Sequence, residues 1–120
     1  MPSQKVNFVQ YLAVCELDFS IDQAPKQIAL IPKDAEVIHL SCEVLEAGNG
    51  QLDIGFEGQS DKLANDIDLS QVKANIANIA FTPSKATIVL ATPQGGANSG
   101  KAKIRLGYFL PSTMTLEVNV

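Results

Sequence analysis

Residues 31–56, IPKDAEVIHLSCEVLEAGNGQLDIGF, carry the reading that decides the fold class. Pro32-Lys33-Asp34 is turn chemistry. A long strand follows, in which Ile38, Leu40, Cys42 and Val44 share one face by the period-two rule. His39, Ser41 and Glu43 occupy the other face, flanked by Val37 and Leu45. Gly48-Asn49-Gly50 supplies residues that tolerate the left-handed conformations of a tight reversal. In the return strand Leu52, Ile54 and Phe56 face one way and Asp53, Gly55 and Glu57 the other. The expectation is a hairpin with one apolar face, which must lie on a second sheet to be buried.

Outward from this stretch the chain is punctuated in the same way. Lys5–Val14 is rich in strand formers, with apolar residues on both parities. Cys15, Leu17, Phe19 and Ile21 form a further extended piece, which Asp22-Gln23-Ala24-Pro25 breaks. Lys26–Ile31 is a short strand. Residues 58–75 alternate poorly and read chiefly as a long connection between sheets. Ala86–Thr92 is a β-branched run, and after the loop 93–100 the segment Lys101–Leu110 alternates strictly, with Ala102, Ile104, Leu106, Tyr108 and Leu110 inside. Met114, Leu116, Val118 and Val120 alternate to the last residue. The pattern predicts an all-β chain, a jelly-roll-like antiparallel β-sandwich of about eight strands. Residues 1–14 form an N-terminal arm or a first strand, and residues 15–120 a single sandwich domain.

The composition narrows the function classes. The 120 residues include 13 acidic and nine basic side chains, for a net charge of −4. Such a chain lacks the clustered cations from which nucleic-acid affinity comes, so no nucleic-acid partner is expected. Aromatics make up 6 % and Trp is absent, which argues against surfaces that stack sugars or bases. Two cysteines, Cys15 and Cys42, cannot build a disulfide framework or a four-thiolate zinc site, and the expectation is two buried free thiols. No apolar run approaches the roughly 20 residues of a membrane span, and residues 1–14 do not resemble a leader, so folding in a cytoplasm is expected.

Each constellation that could carry chemistry has a plainer explanation. Gly95–Lys101, GGANSGK, has the spacing of a phosphate loop. Ala102 stands where the Mg²⁺-binding hydroxyl belongs, and a strand follows in place of a helix. Asp61, Asn65, Asp66 and Asp68 gather oxygen ligands without the spacing of a calcium loop. His39, Ser41 and Glu43 lie on one strand face, where side chains at i, i+2 and i+4 project in parallel and do not converge as a triad must. Asp53 and Glu57 could pair as acid and base, but any acidic hairpin offers such a pair. No catalytic, cofactor-binding or metal residues are assigned, and the chain is expected not to be an enzyme.

The central hairpin carries a resemblance. Ile31-Pro32-Lys33, Val37-Ile38 and Leu52-Asp53-Ile54-Gly55, followed by Leu63-Ala64-Asn65-Asp66-Ile67-Asp68-Leu69, is similar to the small head proteins of tailed bacteriophages, the capsid cement or decoration proteins. The likeness covers about 40 of the 120 residues. It implies a non-enzymatic virion structural protein on the capsid exterior, made in the host cytoplasm, with the major capsid protein and its own copies as partners, often as a homotrimer. No cofactor or membrane is implied. The alternatives are a phage neck or tail protein and a carbohydrate-binding β-sandwich module. Candidate contact residues are Phe8, Tyr11 and Leu12 on the arm and His39, Ser41 and Glu43 on the polar strand face.

Overall fold

The computed structural model describes residues 3–7, 10–77, 79–110 and 113–117, with side chains described between residues 10 and 110 except at position 78. Ten strands follow in order: β1 (Ser3–Asn7), β2 (Gln10–Asp18), β3 (Lys26–Ile31), β4 (Glu36–Glu46), β5 (Gln51–Phe56), β6 (Gln59–Asp68), β7 (Ala74–Ala77), β8 (Thr87–Gln94), β9 (Lys101–Phe109) and β10 (Thr113–Glu117). Eight of them make two antiparallel four-stranded sheets, β2-β9-β4-β7 and β3-β8-β5-β6. Consecutive strands β2–β9 thus alternate between the sheets at each step but one, the β5–β6 hairpin. This is jelly-roll topology, in agreement with the expected fold class and strand number.

The remaining two strands, β1 and β10, pair with each other in a two-stranded ribbon of their own. The β2–β9 ladder ends at Gln10↔Phe109 and the ribbon ladder begins at Asn7↔Thr113. The ribbon therefore follows on from the same strand pair, and the molecule reaches 57 Å in its longest dimension. The domain boundary expected at residues 14/15 falls inside β2, which runs unbroken from Gln10 to Asp18.

The core lies between the two sheets. Leu17, Leu40, Val44, Ile104 and Leu106 from one sheet meet Ile31, Leu52, Ile54 and Val89 from the other, all essentially without solvent contact. Two matching strand ends close the same core. At Asp18-Phe19-Ser20 and Asp68-Leu69-Ser70 the apolar residue is buried, while the aspartate Oδ1 accepts bonds from the serine hydroxyl (2.6 Å in both) and amide. A side-chain acceptor at this point ends the strand and turns the chain without leaving the serine amide unpaired.

Three expectations are corrected. The central hairpin is not a hairpin. Strand β4 pairs with β9 and β7, whereas β5 pairs with β8 and β6, so Gly48-Asn49-Gly50 carries the chain from one sheet across to the other. The assigned faces of β4 also fail at its start. Val37 is buried and Ile38 half exposed, because Ile38 is the extra residue of a bulge between the pairs Val37↔Tyr108 and His39↔Gly107. One extra residue inverts the parity on its far side. Finally, residues 58–75 are not mainly a connection: β6 fills most of them and β7 begins at Ala74. The ladder of β6 shifts register twice, and such shifts erase the alternation by which a strand is recognised.

Candidate interaction surface

The outer face of the β2-β9-β4-β7 sheet collects much of what the sequence singled out. Cross-strand registers place Leu12, Gly107 and His39 in one row, and Val14, Arg105, Ser41 and Ile76 in the next. Glu16, Lys103, Glu43 and Ala74 form a third row. Of the six candidate contact residues, Leu12, His39, Ser41 and Glu43 therefore share one surface. Tyr11 lies on the opposite parity of β2, where its ring stacks on Tyr108 with centroids 5.6 Å apart. Phe8 lies outside the described residues.

The polar groups on this face bond to one another. His39 Nε2 is 3.3 Å from Ser41 Oγ. Arg105 Nη1 donates to Glu43 Oε1 at 3.0 Å, and Lys103 Nζ lies 4.0 Å from Glu16 Oε1. Glu43 thus pairs with the guanidinium of the neighbouring strand rather than with His39, and among the described residues no carboxylate bonds to the histidine to orient it as a base. Around these pairs stand apolar side chains in water: Leu12, Val14 and Ile76 are all about half or more exposed. The face thus combines charges satisfied by one another with apolar side chains open to water.

Elsewhere the candidate chemistry is used structurally. The Gly95–Lys101 loop is clamped by Asn49. Its Oδ1 accepts from the Asn98 amide (3.0 Å) and the Ser99 hydroxyl (2.9 Å), while its Nδ2 donates to the Gly96 carbonyl (3.0 Å). Gly48 lies so close under this loop that a Cβ would sit 1.9 Å from the Ser99 carbonyl oxygen. Asp61, Asn65, Asp66 and Asp68 are strung along β6, and among the described residues no group of three or more His, Cys, Asp or Glu is gathered to hold a metal. Cys15 is half-buried and Cys42 buried, where burial pushes its thiol up to about 11. Both belong to one cross-strand row with Ile104 between them. Two strand spacings, about 9–10 Å, separate their backbones, beyond the reach of a disulfide.

A notch of about 260 Å³ opens between β6 and β7, lined by Leu40, Cys42, Ile54, Leu63 and Ile67, with Asn65 and Asn75 at its polar side. It is smaller than the usual ligand cleft and holds no converging charged groups. No helix among the described residues is long and apolar enough to cross a membrane.

These features define an all-β jelly roll. Solved structures similar to this chain include chains of two phage capsids. A chain in the acid-stable capsid structure of Helicobacter pylori bacteriophage KHP30 superposes with a TM-score of 0.84 and 27 % identity, over 98 % of this chain and 100 % of that one. A chain in the capsid asymmetric unit of cyanophage Pam1 shares the fold at 14 % identity, with a TM-score of 0.65 over 91 % of this chain and 86 % of that one. No protein-family model and no curated protein matches. The likeness to phage head proteins that the central segment carries therefore extends over nearly the whole chain, and it supports a structural role in a virion.

Proposed function

We propose that the chain is a capsid decoration protein, held on the outside of a major capsid protein lattice as a homotrimer and stabilising the head. The observation that carries this reading is the match to the KHP30 capsid chain over 98 % of this chain and 100 % of that one. That capsid contains a separate chain of this size, and a small separate chain suits an accessory subunit better than a shell wall. Avidity supports the mechanical role. A trimer grips several shell subunits at once, so modest contacts combine into tight attachment across the joints that internal pressure would open.

The expected arm of residues 1–14 comprises β1 and the first part of β2. We place docking to the shell on the β1–β10 ribbon, which pairs with neither sheet of the sandwich. The face bearing His39, Ser41 and Glu43 serves contact between copies around the threefold.

The test uses heads of the encoding phage made with and without the chain. A decoration protein appears on purified virions as a stoichiometric 12.8 kDa band. Heads lacking it still assemble, lose DNA at a lower temperature, and recover on adding the purified chain. Removing residues 1–9 should leave a folded sandwich that no longer restores them. Failure of heads to assemble without the chain would make it a shell subunit, and absence of the band would remove it from the virion.

A further inference from the structure

The two sheets have four edge strands, and three of them carry features that discourage pairing with another chain. Strand β7 is only four residues long. Strand β3 begins with a lysine and breaks register between Gln27 and Ala29. Strand β6 shifts register twice, carries Lys62, and holds Asp66 at a positive φ of 54°. Strand β2 has none of these. It pairs with β9 over nine consecutive positions without a register shift, and its sequence QYLAVCELD contains no Lys, Pro or Gly. A long, regular and largely apolar edge is a template for a further strand, and proteins ordinarily disarm such edges.

The groups that face outward can be identified. Phe19 N donates to Gly100 O at 3.0 Å, in register with the β2–β9 ladder. Odd-numbered residues of β2 therefore bond to β9, and even-numbered residues point their N–H and C=O groups to the open edge. Asp18 confirms the phase. Its amide is taken by Asp22 Oδ2 (2.9 Å), and its carbonyl accepts from the amides of Ile21 (2.9 Å) and Asp22 (2.7 Å). The edge is capped at that end. At Gln10, Leu12, Val14 and Glu16 no backbone hydrogen bond from another element covers it among the described residues, apart from a 3.8 Å contact from the Cys15 thiol to the Glu16 carbonyl. Leu12 and Val14 are 56 % and 49 % exposed.

We infer that this edge pairs with β2 of a second copy, antiparallel about a twofold axis through Ala13. Main-chain bonding requires even residues to meet even residues. Only the register centred on Ala13 pairs all four open residues with one another, Leu12 against Val14 and Gln10 against Glu16. Centring on Val14 would set Leu12 against Glu16 and Gln10 against the capped Asp18; centring on Leu12 would leave Glu16 without a partner in the described strand. In the Ala13 register no like charges meet, and the two copies' Leu12 and Val14 side chains join in one apolar patch on the outer face. The result is a continuous eight-stranded sheet from two four-stranded ones. It does not depend on the capsid reading, because it is a property of the free chain. On a shell carrying trimers it would join one trimer to the next.

The full-length chain carrying Ala13→Cys with Cys15→Ser tests the register. Two residues facing each other as a non-hydrogen-bonded antiparallel pair have Cα atoms about 4.5 Å apart, within disulfide range. At micromolar concentration under mild oxidation, a covalent dimer should appear on a non-reducing gel. Adding Val14→Pro should reduce it at least tenfold while leaving the melting temperature of the sandwich close to that of the parent. The Val14 amide points away from β9, so proline there removes no internal ladder bond. Val14→Lys, which retains the amide, serves the same purpose through charge. A folded Ala13→Cys chain that yields no dimer, or a dimer that persists with both Val14 variants, would overturn the pairing, whatever the virion experiments show.

Discussion

Asp53, only 6 % exposed, accepts at Oδ1 a 2.8 Å hydrogen bond from the main-chain N–H of Asp66. The bond spans an irregular stretch of the β5–β6 ladder, where register passes from Leu52↔Ile67 to Ile54↔Ala64 and two residues of β6 stand opposite one of β5. A carboxylate supplies the acceptor that the main chain cannot. Asp53→Ala should destabilise the protein by about 1–2 kcal/mol, the net worth of a partly buried hydrogen bond whose amide water can reach once the carboxylate is gone. Asp53→Asn, which keeps Oδ1, should lose clearly less. Thermal unfolding of the two variants checks the order, with roughly 4 °C expected per kcal/mol.

The Asn49 clamp predicts a local effect. Asn49→Ala removes all three bonds to the Gly95–Gly100 loop and should cost about 1–2 kcal/mol. Cleavage by a nonspecific protease should then begin in that loop. Asn49→Asp keeps the two bonds accepted at Oδ1 and should fall between wild type and Ala.

Acid sensitivity should follow the paired strand ends. The hydroxyl and amide of Ser20 lower the pKa of Asp18, and those of Ser70 lower that of Asp68, from an ordinary value of 3.8. A depressed folded-state value favours the native state above the unfolded pKa, and the benefit is lost as pH falls through the folded value. Ser20→Ala and Ser70→Ala should therefore lower the denaturation midpoint at pH 6, and the difference from wild type should shrink towards pH 2. A difference that does not change with pH would assign the serines a purely structural effect.

The two thiols should differ in reactivity. Native alkylation at pH 8 should label half-buried Cys15 first and leave Cys42 unmodified until unfolding, since the reactive thiolate is suppressed where burial raises the pKa to about 11. A raised thiol pKa contributes stability that is full below the unfolded value of 9.0 and is lost as pH rises through the folded one. Cys42→Ala should remove that part of the alkaline loss. Mass spectrometry of the labelled peptides and unfolding between pH 8 and 11 check both points.

Fold class, the approximate number of sandwich strands and the inward face of β9 were legible in the sequence, because each rests on a local rule. Ala102, Ile104 and Leu106 alternate with Lys103 and Arg105, and a regular strand buries that parity wherever it lies. That three contact candidates share a face was likewise within reach, since His39, Ser41 and Glu43 have one strand parity. That Leu12 joins them across Gly107 depends on β2 and β4 both flanking β9, a long-range pairing. Partner choice was decided by tertiary structure alone. Gly48-Asn49-Gly50 permits a reversal, but whether the returning strand lies beside β4 or across the core from it depends on β9, β7, β8 and β6 competing for the same edges. The bulge at Ile38 and the register shifts of β6 were equally hidden. An extra residue is visible only against the partner strand, and the role of an aspartate such as Asp53 shows only when the amide it serves, thirteen residues away, comes into place.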